Sequence, residues 1–147
     1  MITVGKLEPS DRKAWESLFR GYIRFYGRDE PAEMYERAWH EFQSEARMYA
    51  LGARLDGELV GITHFFIHPS TSGSDFCYLE DLFTAREARG KGVARALIAA
   101  VTDWAIARGC ARLYWHTQAS NTTARRLYDK VAQDRGFIRY QIELPGR

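Results

Sequence analysis

The sequence predicts a mixed α/β domain, a central sheet with helices packed on its faces. Three observations carry that expectation. Short apolar runs of strand length alternate with amphipathic stretches of helical length. Asp56-Gly57 stands between two such apolar runs, the strongest short-range hairpin signal there is. An Arg-Gly-Lys-Gly loop at 89–92 leads from a hydrophobic strand directly into a helix. The expected order is β-α-α-β-β-β-α-β-α-β, without repeats, linkers or low-complexity tracts, so residues 1–147 are read as one domain.

Ile2 to Leu7 is a short strand by alternation and stops at Glu8-Pro9. Ser10 or Asp11 can cap a helix that carries Trp15, Leu18, Phe19, Tyr22 and Ile23 at helical spacing. Gly27 to Pro31 breaks it, and Pro31 opens a second helix through Tyr35, Ala38, Trp39 and Phe42. Met48–Leu55 and Glu58–Ile67 are the hairpin strands, and Phe76–Thr84 follows a polar turn. The helix from Gly92 buries Val93, Leu97, Ala100 or Val101, and Trp104, and Gly109 stops it. Ala111–Thr117 reads as a strand. Ser120-Asn121 caps a helix with Ala124, Leu127, Tyr128 and Val131 on one face, and a last strand runs from Gly136-Phe137 to about Leu144.

At 147 residues, the chain is long enough for a substantial core. No apolar run approaches the roughly 18–20 residues of a membrane span, and the first residues lack the basic and apolar regions of a signal peptide. Cys77 and Cys110 have no metal-ligand companions at short spacing, so both are read as reduced thiols of a cytoplasmic protein, with a disulfide as the alternative. A net charge of +2 gives no argument for nucleic acid. Arg86, Arg89, Lys91 and Arg95 nevertheless crowd one loop, which favours a small polyanion there. His40, His64, His68 and His116 form no ligand spacing, and no metal is expected.

The first amides of a helix have no partners inside it, and the macrodipole makes that end partly positive. Glycines at 90 and 92 let a ligand approach the backbone, so the loop suits a phosphate or pyrophosphate. A nucleoside-triphosphate P-loop would need Ser or Thr after Lys91, where Gly92 stands. A dinucleotide fingerprint would need a third glycine where Arg95 stands. A glycine-rich turn with solvated basic residues is the remaining alternative.

The flanking residues narrow this. Arg89-Gly-Lys-Gly-Val-Ala94 after Leu82-Phe-Thr84 resembles motif A of the GNAT superfamily of acetyl-coenzyme A-dependent N-acetyltransferases, and Asn121-Thr-Thr-Ala-Arg-Arg-Leu-Tyr128 followed by Gly136-Phe137 resembles its second signature. Ala94 stands where many members carry Gly. Tyr78-Leu-Glu-Asp-Leu-Phe83 is similar to the matching strand of polyamine acetyltransferases. Trp115-His-Thr-Gln118 and Leu127 to Ala132 resemble the histone/polyamine branch.

The resemblance implies the GNAT fold, a mixed and mostly antiparallel sheet with helices on both faces, and acetyl-CoA as cosubstrate. It places the pantetheine arm on the main chain of Leu82, Phe83 and Thr84 as an added strand. It places the pyrophosphate on the amides of Arg89, Gly90, Lys91, Gly92, Val93, Ala94 and Arg95, with the Lys91 and Arg95 side chains either helping or solvated. Asn121 is either a further cofactor contact or simply a helix cap. Glu80 is the expected base, with a rim carboxylate that merely attracts a cation as the alternative, and it lies on the same strand face as Leu82 and Thr84 by period-two alternation. Asp81 is expected on the other face, as a structural partner or second cation contact. Tyr128 is the expected donor to the leaving thiolate.

Aromatic rings and carboxylates in 21–36, including Tyr22, Phe25, Tyr26, Asp29, Glu30, Glu33 and Glu36, suit a cation. A small primary amine, such as a polyamine or an amino-acid amine, is therefore the expected substrate, with Tyr26, Glu80 and Asp81 as contacts. Peptide lysine is the second choice. A non-catalytic acetyl-CoA sensor is the rival from another class, and a homodimer follows from family habit.

Overall fold

Five strands pair in chain order in the computed structural model, which describes residues 1–146: β1 (Ile2–Lys6), β2 (Tyr49–Leu55), β3 (Glu58–His68), β4 (Phe76–Thr84) and β5 (Arg112–Tyr114). The first four pair antiparallel, and β5 runs parallel to β4. The helices are α1 (Arg12–Phe25), α2 (Ala32–Ser44), α3 (Val93–Ala107) and α4 (Thr122–Val131). Parallel strands need a crossover, and α3 supplies it. The expected mixed, mostly antiparallel α/β architecture is therefore the one observed.

The chain forms two compact units, residues 1–116 and residues from Thr117 onward. In the first, α1 and α2 bury Trp15, Phe19, Ile23, Tyr35 and Phe42 with Ala50, Leu59 and Ile62 of the sheet. A second cluster joins Val93 and Leu97 of α3 to Ala53 and Val60. The expected apolar stripe of α3 holds at Val93, Leu97 and Val101, with Ile98 and Ala105 added. Trp104 instead packs half-buried between Tyr49 and Phe65, with both centroids 4.7 Å away. Gly61 lets α3 approach: a Cβ there would lie 2.6 Å from Val93. Asp56 and Gly57 both hold positive φ, as a two-residue hairpin turn with matching twist requires.

Several boundaries differ from expectation for physical reasons. Asp11 occupies the N-cap position of α1, but its carboxylate does not cap that helix. It instead accepts from the Glu8 amide at 2.8 Å and from Arg54 at 2.6 Å. β5 ends at Tyr114 rather than Thr117, because β4 departs from it past Tyr78.

β4 itself breaks period two. Its register with β3 steps from Phe65↔Leu79 to His64↔Asp81, making Glu80 the extra residue of a bulge. Asp81 therefore faces α1, where its carboxylate meets His64 at 2.9 Å, and it is not turned away from Glu80 as alternation suggested. Leu82 belongs to the α3-side cluster and Phe83 packs against the α1–α2 side, so Glu80 does not continue the face of Leu82.

In the second unit Asn121 is the N-cap residue of α4, and its side-chain amide donates to Thr117 Oγ1 at 3.2 Å rather than to the helix. Arg125 donates to the Ala119 carbonyl at 2.9 Å. Ala124, Leu127, Tyr128 and Val131 are half-buried as the pattern implied. The last strand does not form: residues 136–144 lie outside helix and sheet and are exposed. A lone segment cannot satisfy its backbone as a strand without a ladder partner.

Burial alone would raise the Asp11 carboxyl, but the Arg54 guanidinium and the Glu8 amide more than offset it and hold it below the usual value. A depressed folded-state value stabilises above the unfolded carboxyl's range and is lost as pH falls through it. Asp11→Asn should therefore cost about 2 kcal/mol at neutral pH. Chemical denaturation of both proteins should show that gap closing below about pH 4.

Candidate active site

Strand pairing decides where the sheet opens. β5 reaches β4 only opposite Phe76, Cys77 and Tyr78. From Leu79 to Thr84 the β5-side edge of β4 has no strand partner among the described residues. An edge whose N–H and C=O groups alternate without a ladder is a template for an extended, amide-containing ligand. The main chain of Leu82, Phe83 and Thr84 lies in this stretch.

Thr84 ends β4, and a single 3₁₀ turn (Arg86–Ala88) carries the chain into the loop before α3. Gly90 and Gly92 have φ of 77° and 88°, the left-handed region that side chains avoid. Gly92 is the N-cap residue, and the first helical bond runs from Ala96 to its carbonyl. The amides of Val93, Ala94 and Arg95 precede any acceptor within the helix. Val93 is buried in the core, so it can contribute only its backbone. Lys91 and Arg95 are exposed. Arg89 folds back: its Nε–H donates to the Thr84 carbonyl at 3.1 Å, and its guanidinium lies 5.4 Å from the Phe83 ring centre. The loop thus combines bare amides, the helix dipole and three cationic side chains at one end of the open edge.

The bulge gathers the acidic groups. Tyr22 of α1 is hydrogen-bonded to Asp81, and the charges of both Asp81 and Glu80 act on its hydroxyl. Tyr26 is the residue just past the end of α1, its ring 5.1 Å from that of Tyr22. Glu80 is exposed and Asp81 is half-buried. The expected substrate contacts Tyr26, Glu80 and Asp81 are therefore neighbours of one residue, Tyr22, which the sequence reading named among the aromatic residues of 21–36 but not as a substrate contact. Burial first, then Asp81, Tyr26 and Glu80, raise the Tyr22 hydroxyl well above an ordinary phenol.

His64, which has no metal-ligand spacing in the sequence, is central to this cluster. It is fully buried, accepts from the Trp15 indole at 3.0 Å and meets Asp81 at 2.9 Å. No spacing signal could have found it, because its partners lie 49 and 17 residues away. His68 bonds the Tyr114 hydroxyl at 2.7 Å, and His116 bonds that of Tyr78 at 3.0 Å. Among the described residues no group of three or more His, Cys, Asp or Glu is placed to hold a metal. Both cysteines are free thiols. Burial, with Cys110 adding to it, pushes the Cys77 thiol up to about 12, which leaves little nucleophilic thiolate at neutral pH. Asn121 and Tyr128 belong to α4 of the second unit.

Known proteins resemble this chain in sequence and in fold. A family model described as "Acetyltransferase (GNAT) family" matches residues 15–132, so it extends over parts of both units. The D-amino-acid N-acetyltransferase HPA3 of Saccharomyces cerevisiae is 31% identical over 144 residues, covering 95% of this chain and 89% of its own. The uncharacterized N-acetyltransferase YhfO of Bacillus subtilis is 28% identical, covering 99% and 100% respectively. The crystal structure of AAC(6')-Iy with a CoA-S-monomethyl-acetylneamine bisubstrate analog superposes with a TM-score of 0.86 at 19% identity, over 99% of each chain, a likeness of fold. The chain belongs to the GNAT acetyltransferase family and is an acyl-CoA N-acyltransferase. Among the described residues no helix is long and apolar enough to cross a membrane.

A phenol raised in the folded state keeps its stabilising effect below the unfolded value and loses it as pH climbs beyond that value. Tyr22 should therefore stay protonated through about pH 10, where a free phenol titrates. The absorbance rise at 295 nm over that range should be the same for wild type and Tyr22→Phe. A smaller rise in the variant would contradict the burial of this hydroxyl.

Proposed function

We propose that the chain transfers the acetyl group of acetyl-CoA directly to a primary amine of a small, cationic molecule. The single observation that carries this reading is the open β4 edge ending in the glycine loop of α3. A pantetheine arm carries amides that can pair with Leu82, Phe83 and Thr84. A diphosphate suits the amides from Arg89 to Arg95, each bond to it being charge-assisted. These groups fit the cosubstrate without any metal.

An alkylammonium with a pKa of about 10.4 is neutral in roughly one part in a thousand at pH 7, a handicap of about 4–5 kcal/mol. Glu80, exposed at the bulge, takes the ammonium proton directly or through water. The amine nitrogen then bonds to the thioester carbon, the carbon–sulfur bond breaks as the thiolate leaves, and the surplus proton on the new amide nitrogen passes to solvent. Tyr128, placed by its match to the family motif, hydrogen-bonds the developing charge on sulfur and returns a proton. Asn121 is a cofactor contact on the same ground. The Cys77 thiol, protonated and buried, is no acyl carrier, so transfer is direct.

D-amino acids and aminoglycosides are the substrates named for similar proteins, and the Leu79-Glu-Asp81 match adds polyamines. All three offer a protonated amine to Tyr26, Glu80 and Asp81. The two unpaired thiols fit a reducing, cytoplasmic location. We read the protein as one functional domain that assembles as a homodimer. The support is apolar surface: Phe137, Ile138, Tyr140, Ile142 and Leu144 are 75–90% exposed, and a second copy would cover them.

Calorimetry with acetyl-CoA followed by an amine panel tests the reaction. Binding should be accompanied by CoA release with at least one small amine. Tight binding without release from any amine would sink the proposal and favour a sensor. Glu80→Gln should lower kcat by about a hundredfold or more and displace its pH profile upward; an unchanged profile removes Glu80 from the base role.

Sedimentation velocity should give a dimer that Ile138→Glu with Ile142→Glu converts to monomer. A monomeric wild type overturns the assembly.

A further inference from the structure

His64 is an expensive residue where it stands. Its side chain is fully buried, stacked on Phe42 at 4.1 Å with the planes 19° apart and met edge-on by Phe19 at 4.7 Å. A leucine or phenylalanine would suit those neighbours without desolvating two ring nitrogens. The hydrogen bonds state what the imidazole does. An indole N–H can only donate, so the Trp15 contact at 3.0 Å requires a lone pair on His64 Nε2. An imidazolium has none, so the ring is neutral and its proton lies on Nδ1. That N–H donates to Asp81 Oδ2 at 2.9 Å.

Asp81 is thereby held at several points. Thr63 Oγ1 donates to its backbone carbonyl at 2.8 Å, fixing the strand where the bulge begins. His64 and Tyr22 bond its carboxylate. Both are neutral donors, so they orient the carboxylate without cancelling its charge. An ionised carboxylate offers about four acceptor sites, and two donors leave room for another. Tyr22 stands beside it with the Tyr26 ring next in line, the two ring centres 5.1 Å apart, and the Glu80 charge lies within reach of the same Tyr22 hydroxyl. An alkylammonium is the ligand that such a carboxylate–aromatic corner favours.

We propose that His64 is a positioning residue: locked in its Nδ1–H form by Trp15, it aims the Asp81 carboxylate into the Tyr22–Tyr26 corner, where that carboxylate docks the substrate's ammonium group. The inference rests on the amine-acetylating reading above and divides the two acids, Asp81 holding the amine while Glu80 takes its proton. Removing the imidazole should then weaken the amine and leave acetyl-CoA alone.

Two measurements on the full chain test it. Nitrogen-15 correlation spectra of the wild-type protein should show a protonated Nδ1 and a lone-pair Nε2 for His64; the opposite tautomer or an imidazolium overturns the proposal whether or not any variant folds. In steady-state kinetics with the best amine of the panel, His64→Leu should raise the amine KM about tenfold. The effect on kcat should be smaller and the acetyl-CoA KM unchanged. His64→Gln, whose amide can both accept from Trp15 and donate to Asp81, should restore most of the loss. A kcat-only defect, or parallel loss of both substrates, assigns His64 a merely structural role. Wild type inactive on every amine refutes the parent reading, whereas an active wild type with an unshifted His64→Leu KM refutes this one.

Discussion

The bulge at Glu80 is the local constraint from which the geometry of the site follows, because one extra residue on β4 does three things together. It resets the alternation of the strand, so that Asp81 meets His64 on the α1 side while Leu82 joins the α3-side core. It brings two consecutive carboxylates near the same tyrosine. It also bends the strand just past the last pairing with β5, which leaves the edge from Leu79 to Thr84 without a ladder.

That open edge and the loop after it offer different chemistry, and on the proposed reading one extended ligand uses both. The edge offers alternating donors and acceptors, and the loop offers amides only, backed by the helix dipole. Gly90 and Gly92 can hold positive φ because they lack Cβ atoms. Specificity for a thioester carrier would then reside mainly in main-chain geometry, which explains why the Lys91 and Arg95 side chains can stay exposed.

The acidic corner is assembled differently, through buried polar bonds between elements distant in sequence. Trp15 and Tyr22 come from α1, His64 from β3 and Asp81 from β4. Buried polar groups of this kind are costly unless each has a partner, so they fix one arrangement of α1 over the sheet. The cluster that stabilises the packing of α1 is also the one that holds the Asp81 carboxylate. Fold and site share the same hydrogen bonds here.

Much of this molecule was legible in the chain. Helices and strands with their own periodicity, the Asp56-Gly57 turn, and the strand–loop–helix around Arg89 to Arg95 are local features that a few adjacent residues determine. The failures share one cause: they depend on partners that no window of sequence contains. The run 136–144 has strand-like alternation, yet a strand exists only where another strand completes its hydrogen bonds. Asp11 has the side chain of a helix cap, yet Arg54 on β2 competes for it. Glu80 and Asp81 alternate on paper, yet register against β3 sets their faces, and His64 has no neighbours in sequence to mark it. By itself the sequence determined most of the helices and strands and the glycine loop before α3, whose conformations are set by backbone preferences over short spans. Only the tertiary structure decided which acids face α1 and what holds them, because those facts arise from pairing register and buried contacts across the fold.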